Sequence, residues 1–168
     1  MGVKCPKGRY SDIFDIVKKG DCKYCLAGRY NSKIGSNNIN DCLICTLGKY
    51  SLTLGGDTEN VCTNCDPGKF RDNTMDSGSE CQICLNGKYS KIGSGECLDC
   101  SIGRYNAGDK STDHITCLNC PPGKYNENEG ADTIDKCINC DLGKYSNLEN
   151  LTDSNLCKYC PKGKYNDI

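Results

Sequence analysis

Nine times in 168 residues the chain spells one six-residue frame: a cysteine, two variable positions, a glycine, a base and an aromatic ring. It begins as CPKGRY at Cys5 and recurs as CLAGRY, CTLGKY, CDPGKF, CLNGKY, CSIGRY, CPPGKY, CDLGKY and CPKGKY. The opening cysteines, Cys5, Cys25, Cys45, Cys65, Cys84, Cys100, Cys120, Cys140 and Cys160, stand 20, 20, 20, 19, 16, 20, 20 and 20 residues apart. A fixed period this short defines a linear array of small units. The spacing from each cysteine to its ring never changes, and all length variation falls between the ring and the next cysteine. Each unit is therefore a fixed corner followed by a tolerant loop. The repeats run 5–24, 25–44, 45–64, 65–83, 84–99 (the short one), 100–119, 120–139 and 140–159, with an incomplete ninth at 160–168.

Composition explains why such a unit needs cysteine. With no tryptophan, two phenylalanines and 36% apolar residues including 17 cysteines, too little remains to fill an ordinary core. Cross-links at that density persist in oxidising compartments, which places the chain outside the cell, at the cell surface or in the lumen leading there. A net charge of -1 from evenly spread charges gives no platform for nucleic acid. No apolar run approaches the ~18 residues of a membrane span. The opening MGVKCPKGRY has neither the basic nor the apolar region of a secretory leader, so a secreted form is expected to be a fragment or trimmed product.

The loops, such as NSKIGSNNIND and NENEGADTIDK, are rich in the residues that make turns, and neither helical periodicity nor long alternation appears. The expected fold is small and disulfide-rich: an elongated tandem array of ~20-residue loops with short β-strands and turns and little or no helix. The recurring glycine fits a backbone position with positive φ or a close approach to a sulfur bridge. The frame rings, Tyr10, Tyr30, Tyr50, Phe70, Tyr89, Tyr105, Tyr125, Tyr145 and Tyr165, are expected to stack on bridges and on neighbouring units.

Every cysteine after Cys5 belongs to a CxxC, whereas Cys5 has Gly2 three residues upstream. This phase makes the loop from one opening cysteine to the next closing one the unit. The expected bridges are Cys5 to Cys22, Cys25 to Cys42, Cys45 to Cys62, Cys65 to Cys81, Cys84 to Cys97, Cys100 to Cys117, Cys120 to Cys137 and Cys140 to Cys157. Cys160 is left over, opening a loop whose closing partner would lie past residue 168. Two other uses of the motif stay open at this stage. Successive CxxC pairs also have the spacing of four-thiolate zinc sites, which would make an intracellular multi-zinc protein, and a lone CxxC can be redox-active.

CPKGRY, with its turn-rich loop, closing cysteine and CxxC junction, resembles the cysteine-rich repeats of tumour necrosis factor receptors and the related ephrin-receptor-like repeats. The likeness spans nearly the whole chain. It implies bridges between the corresponding first-loop cysteines and a role on the cell surface. The receptor repeats commonly alternate this simple loop with a module of interlocked bridges, whereas every unit here is simple, which favours a uniform stalk.

Other chemistry is sparse, and neither a catalytic set nor a cofactor is expected. His114 stands alone in STDHIT, and the acidic DNTMDSGSE and NENEGADTID lack the spacing of a calcium loop. The frame bases Arg9, Arg29, Lys49, Lys69, Lys88, Arg104, Lys124, Lys144 and Lys164 would form a stripe if the array twisted little; otherwise they lie along rings or pair with local acids. Asn150 heads the glycan acceptor NLT, while Asn60 and Asn155 head weaker NxC forms. The leading expectation is a non-enzymatic extracellular rod, a stalk, coat or filament subunit, whose partners are other copies of itself or surface proteins. The alternative is a receptor-type ectodomain that binds a protein ligand, with SDIFDIV (Ile13, Phe14, Ile16, Val17) and the short repeat as its distinctive surfaces.

Overall fold

The structure, a computed structural model, describes residues 3–13, 18–73, 78–108 and 117–165. It builds each repeat from the frame outward. In CLAGRY the Arg29 amide donates to the carbonyl of Leu26 across Ala27 and Gly28, whose φ is +75°. That is a type II turn, in which the third residue must take positive φ and the second suits proline. CDPGKF and CPPGKY accordingly put Pro67 and Pro122 before their glycines. The turn aims base and ring into a two-residue strand, and the two residues between the CxxC cysteines return alongside it.

The antiparallel hairpins are Arg9–Tyr10 with Lys23–Tyr24, Arg29–Tyr30 with Leu43–Ile44, Lys49–Tyr50 with Thr63–Asn64, and Lys88–Tyr89 with Leu98–Asp99. They continue as Arg104–Tyr105 with Leu118–Asn119, Lys124–Tyr125 with Ile138–Asn139, and Lys144–Tyr145 with Lys158–Tyr159. Repeat 4 contributes the strands Lys69–Phe70 and Gln82–Ile83. In those seven hairpins the ring faces the first residue of the returning strand, as Tyr30 faces Leu43 and Tyr125 faces Ile138. Short 3-10 turns, Lys19–Asp21, Ile39–Asp41, Glu59–Val61, Ile134–Lys136 and Ser154–Leu156, deliver the chain to the closing cysteine. Repeat 5, whose loop is short, has no such turn. There is no α-helix among the described residues.

By backbone contact the chain forms two compact units. The first is Met1–Asp66, Phe70–Gln82 and Ile92–Glu96; the second is Pro67–Lys69, Ile83–Lys91 and Cys97–Ile168. The core of each is made chiefly of cystine, with Cys25, Cys65, Cys100 and Cys120 fully buried. In the first unit Tyr10 packs with Cys25 and Cys42, the bridge of the next repeat; in the second, Tyr125 packs on Cys140, Cys157 and Leu151.

Repeats also touch at a distance of two. The loop residue Gly55 of repeat 3 lays its carbonyl against the α-carbon of Gly8 in repeat 1, so closely that a β-carbon on Gly8 would overlap it. Gly93 meets Gly48, Gly130 meets Gly87, and Asn150 meets Gly103 in the same way. These loop residues themselves have positive φ, and the amides of Gly55, Gly93, Gly130 and Asn150 donate to the opening-cysteine carbonyls Cys25, Cys65, Cys100 and Cys120. Gly143 keeps φ at +76° but has nothing within 4 Å of where a β-carbon would sit. Gly143→Ala is therefore expected to cost only the left-handed backbone, about 1–2 kcal/mol. Gly48→Ala adds the overlap with Gly93 and should cost clearly more, read as a larger fall in the guanidinium unfolding midpoint under oxidising conditions.

Candidate functional site: the inter-repeat joints and the outer face

The recurring chemistry of this chain lies in its joints. Bridges join Cys5–Cys22, Cys25–Cys42, Cys45–Cys62, Cys65–Cys81, Cys84–Cys97, Cys100–Cys117, Cys120–Cys137 and Cys140–Cys157, with Cα atoms 5.6–5.8 Å apart. Seven of the eight CxxC motifs thus send their two sulfurs into different bridges, and the eighth bridges Cys157 alone, so no motif closes on itself as a redox pair and the bridged sulfurs are not thiolates for zinc. Cys160 is free and half-buried. Among the described residues no group of three His, Cys, Asp or Glu side chains is placed to hold a metal.

The frame is one letter longer than its six residues. The residue after each of the first eight rings is Ser11, Asn31, Ser51, Arg71, Ser90, Asn106, Asn126 or Ser146, and all eight are buried, while Asn166 after the ninth lies outside the described residues. The Oγ atoms of Ser11, Ser51 and Ser146 accept from the amide two residues on in their own loops. In the other five of the eight the side chain reaches back to the preceding repeat: Asn31, Asn106 and Asn126 donate from Nδ2 to the carbonyls of Arg9, Lys88 and Arg104 at 3.2, 2.9 and 3.2 Å. Ser90 Oγ donates to Lys69 O at 2.8 Å. Arg71, only 2% exposed, donates from one terminal nitrogen to Lys49 O at 2.6 Å and to the carbonyls of Cys45 and Thr46 at 3.4 Å. The backbone amide of the same residue reaches forward, as Asn31 to Gly56 O and Asn126 to Leu151 O. One polar residue therefore satisfies groups on both sides, which is what permits its burial. The unbroken Ser, Asn or Arg after the ring is the sequence signal for it, and the six-letter frame stops one place short.

The frame rings Tyr30, Tyr50, Phe70, Tyr89, Tyr105, Tyr125 and Tyr145 are half-buried, Tyr10 is buried, and Tyr165 is exposed. Most frame bases turn to their own repeat. Lys49 pairs with Glu59, Lys88 with Asp99 and Lys144 with Asp141, at 3.3, 2.7 and 2.9 Å. Arg29 donates to Cys42 O at 3.0 Å. Arg9 lies 3.8 Å over the Tyr24 ring and donates to its hydroxyl. Arg104 and Lys164 are exposed, and Lys124 is half-buried.

What faces outward is the returning strand. Leu43, Leu98, Leu118 and Ile138 occupy one equivalent position in repeats 2, 5, 6 and 7, and each is about half exposed, 46–55%. Ile13 is exposed, whereas Phe14, Ile16, Val17 and His114 lie outside the described residues. Asn60 and Asn155 are exposed and precede bridged cysteines by two. Asn150 is half-buried at φ +60°, in the place that glycine holds in other loops, with its Oδ1 buried and unpaired against Gly103. Asparagine is among the few side chains that tolerate this backbone.

Tandem hairpins, each closed by one bridge and joined by buried polar side chains, define a cysteine-rich repeat module. A family model described as tyrosine-protein kinase ephrin type A/B receptor-like matches residues 3–42 and 87–137, together more than half of the chain, and the chain belongs to this ephrin-receptor-like family. Its repeats are extracellular modules of receptor or structural type, and the family is non-enzymatic. No curated protein matches the chain. No helix among the described residues is long and apolar enough to cross a membrane.

Two measurements follow from the joints. Asn126→Ala strands the Arg104 carbonyl and the Asn128 backbone, which also bonds to this side chain, and should cost about 1–3 kcal/mol; Asn126→Ser, which restores the residue found in repeat 5, should cost less in the same denaturant titration. In repeat 1, the hydrogen bond from Lys23 holds the Asp12 carboxyl below its ordinary pKa. A pKa depressed on folding stabilises above the unfolded value, and that contribution is lost as pH falls through the folded one. Carboxyl-carbon NMR should show Asp12 titrating low, and Lys23→Ala should return it upward with little change in stability, since both groups are exposed.

Proposed function

We propose that this chain is a non-enzymatic extracellular repeat segment that serves as a spacer, coat or filament subunit at the cell surface. The observation that carries the reading is where the frame spends its chemistry. Cysteine goes into the bridge, glycine and the post-ring residue go into neighbouring repeats, and most bases are turned to groups of their own loop. Sixteen bridged cysteines support an oxidising compartment. Self-association and contact with other surface proteins belong to this reading, as does a glycan on Asn150, which would have to be attached before that side chain is tucked against Gly103.

A receptor-type reading is favoured by one observation. Leu98, Leu118 and Ile138 stand half exposed at the same strand position of three successive repeats in the second unit, where a protein ligand would bury them.

The two are separated by substituting all three with Asp in the protein displayed on cells. The spacer reading expects unchanged folding and surface delivery, and unchanged attachment to any partner the parent chain captures; loss of capture by a variant with native thiol content would favour the receptor. The extracellular assignment is tested by non-reducing peptide mapping of protein made in the secretory pathway. Eight bridged peptides and one alkylatable thiol at Cys160 are expected. Free thiols throughout, with zinc released by a chelator, would sink it.

A further inference from the structure

Asn86–Gly87 in CLNGKY is the one Asn-Gly step in the sequence. It falls on the two central residues of the frame turn, which Lys88 closes by donating to Leu85 O at 3.1 Å. Asn86 is exposed and Gly87 has φ +77°. An asparagine followed by glycine carries an intrinsic self-reaction, because no side chain hinders the next amide nitrogen from reaching the asparagine Cγ. The Gly87 nitrogen bonds to Asn86 Cγ, the Cγ–Nδ2 bond breaks, and ammonia leaves with the proton from the glycine nitrogen. Water then opens the five-membered imide at either carbonyl, giving aspartate or isoaspartate. No oxidant or reductant is involved.

The folded array withholds the nucleophile of that reaction. The Gly87 amide donates to Asn106 O at 2.8 Å, which removes the nitrogen from attack. The Gly87 carbonyl accepts from Cys100 N at 2.8 Å, which fixes the peptide plane that would have to swing. The Gly130 carbonyl lies against the Gly87 α-carbon. Three clamps from repeats 6 and 7 therefore act on one glycine, all within the second unit. The exposed Asn86 side chain is ready, and its nucleophile is not.

We infer that Asn86 is a spontaneous modification site gated by the packing of repeat 6 on repeat 5, so that deamidation there occurs only when this joint opens. The isoaspartate product cannot return to the starting turn, whereas the aspartate product keeps the main chain and adds only a charge. Isoaspartate adds a methylene to the main chain inside the frame, and the Lys88-to-Leu85 hydrogen bond and the Gly87 clamps lose their register together. Modification at Asn86 is thus a one-way record of opening at this joint.

The test follows isoaspartate and aspartate at position 86 by peptide mass spectrometry and isoaspartyl methyltransferase labelling, in the full chain at mildly alkaline pH. Native oxidised protein should deamidate at least about tenfold more slowly than reduced, denatured protein, the ratio that a local opening costing about 1.4 kcal/mol imposes. Removing the repeat 6 bridge with the pair Cys100→Ser and Cys117→Ser should raise the rate in otherwise native conditions, and Asn86→Gln should abolish the product. Should the double variant fail to fold, hydrogen exchange at the Gly87 amide in the parent chain serves instead: conditions that raise exchange there must raise deamidation in proportion. Equal rates in native and denatured protein, no product from the denatured chain, or exchange that rises without deamidation would each overturn the inference.

Discussion

The array depends on a left-handed glycine held from both ends. In each well-packed frame the glycine turns the chain into its strand, its carbonyl accepts from the next opening cysteine, and its amide reaches the following repeat, as Gly8 does to Asn31 and Gly103 to Asn126. The absent side chain is as important as the backbone angle. It leaves the space into which a loop carbonyl from two repeats away fits. The disulfide fixes the size of each loop, but these contacts fix how one loop lies on another, and that decides whether a unit with so few apolar residues has an interior at all.

Burial is divided accordingly. Sulfur and part of each ring form the dry part, while Asn, Ser and, once, Arg form a buried polar seam; among the described residues, Arg71 Nε in the seam and Asn150 Oδ1 in its loop are buried side-chain atoms without a hydrogen-bond partner. Arg71 coincides with the neighbour of the shortened repeat: its amide donates to Ser94 O, and its terminal nitrogen spans carbonyls that a serine could not reach together. The returning strands leave aliphatic residues such as Leu43, Leu98, Leu118 and Ile138 half exposed, outside both parts.

The period, the hairpin corner and the positive φ of the frame glycine could be read from the letters because each follows from one residue type at an invariant spacing. The polar seam was equally present in the letters, as Ser, Asn or Arg after each ring, but a polar residue in a polar sequence does not advertise burial; only its two bonded neighbours reveal it. The contacts between repeats 1 and 3, or 5 and 7, were beyond the sequence for a different reason. Loop glycines such as Gly55 and Gly130 look like ordinary turn formers, and nothing in a one-dimensional period says which earlier repeat a loop will reach. The expected stripe of bases depended on twist in the same way, and local contacts turn five of the nine, Arg9, Arg29, Lys49, Lys88 and Lys144, to groups of their own repeats. Asn150 shows how one letter can serve two readings: an acceptor for sugar in the sequence, and a stand-in for glycine in the fold.

Contact across two repeats has a bearing on descent. Among the described residues, the frame glycines of repeats 1, 3, 5 and 6 are sockets and the left-handed loop residues of repeats 3, 5, 7 and 8 are their plugs. Repeats 3 and 5 carry both, so a copied or lost repeat of that kind leaves plug and socket matched on either side of the seam. Length can drift by whole repeats through unequal recombination without any new interface being invented. A change inside one repeat does not stay there, however; it is answered by its second neighbour, and odd and even members of such a lineage would accumulate their compensations separately.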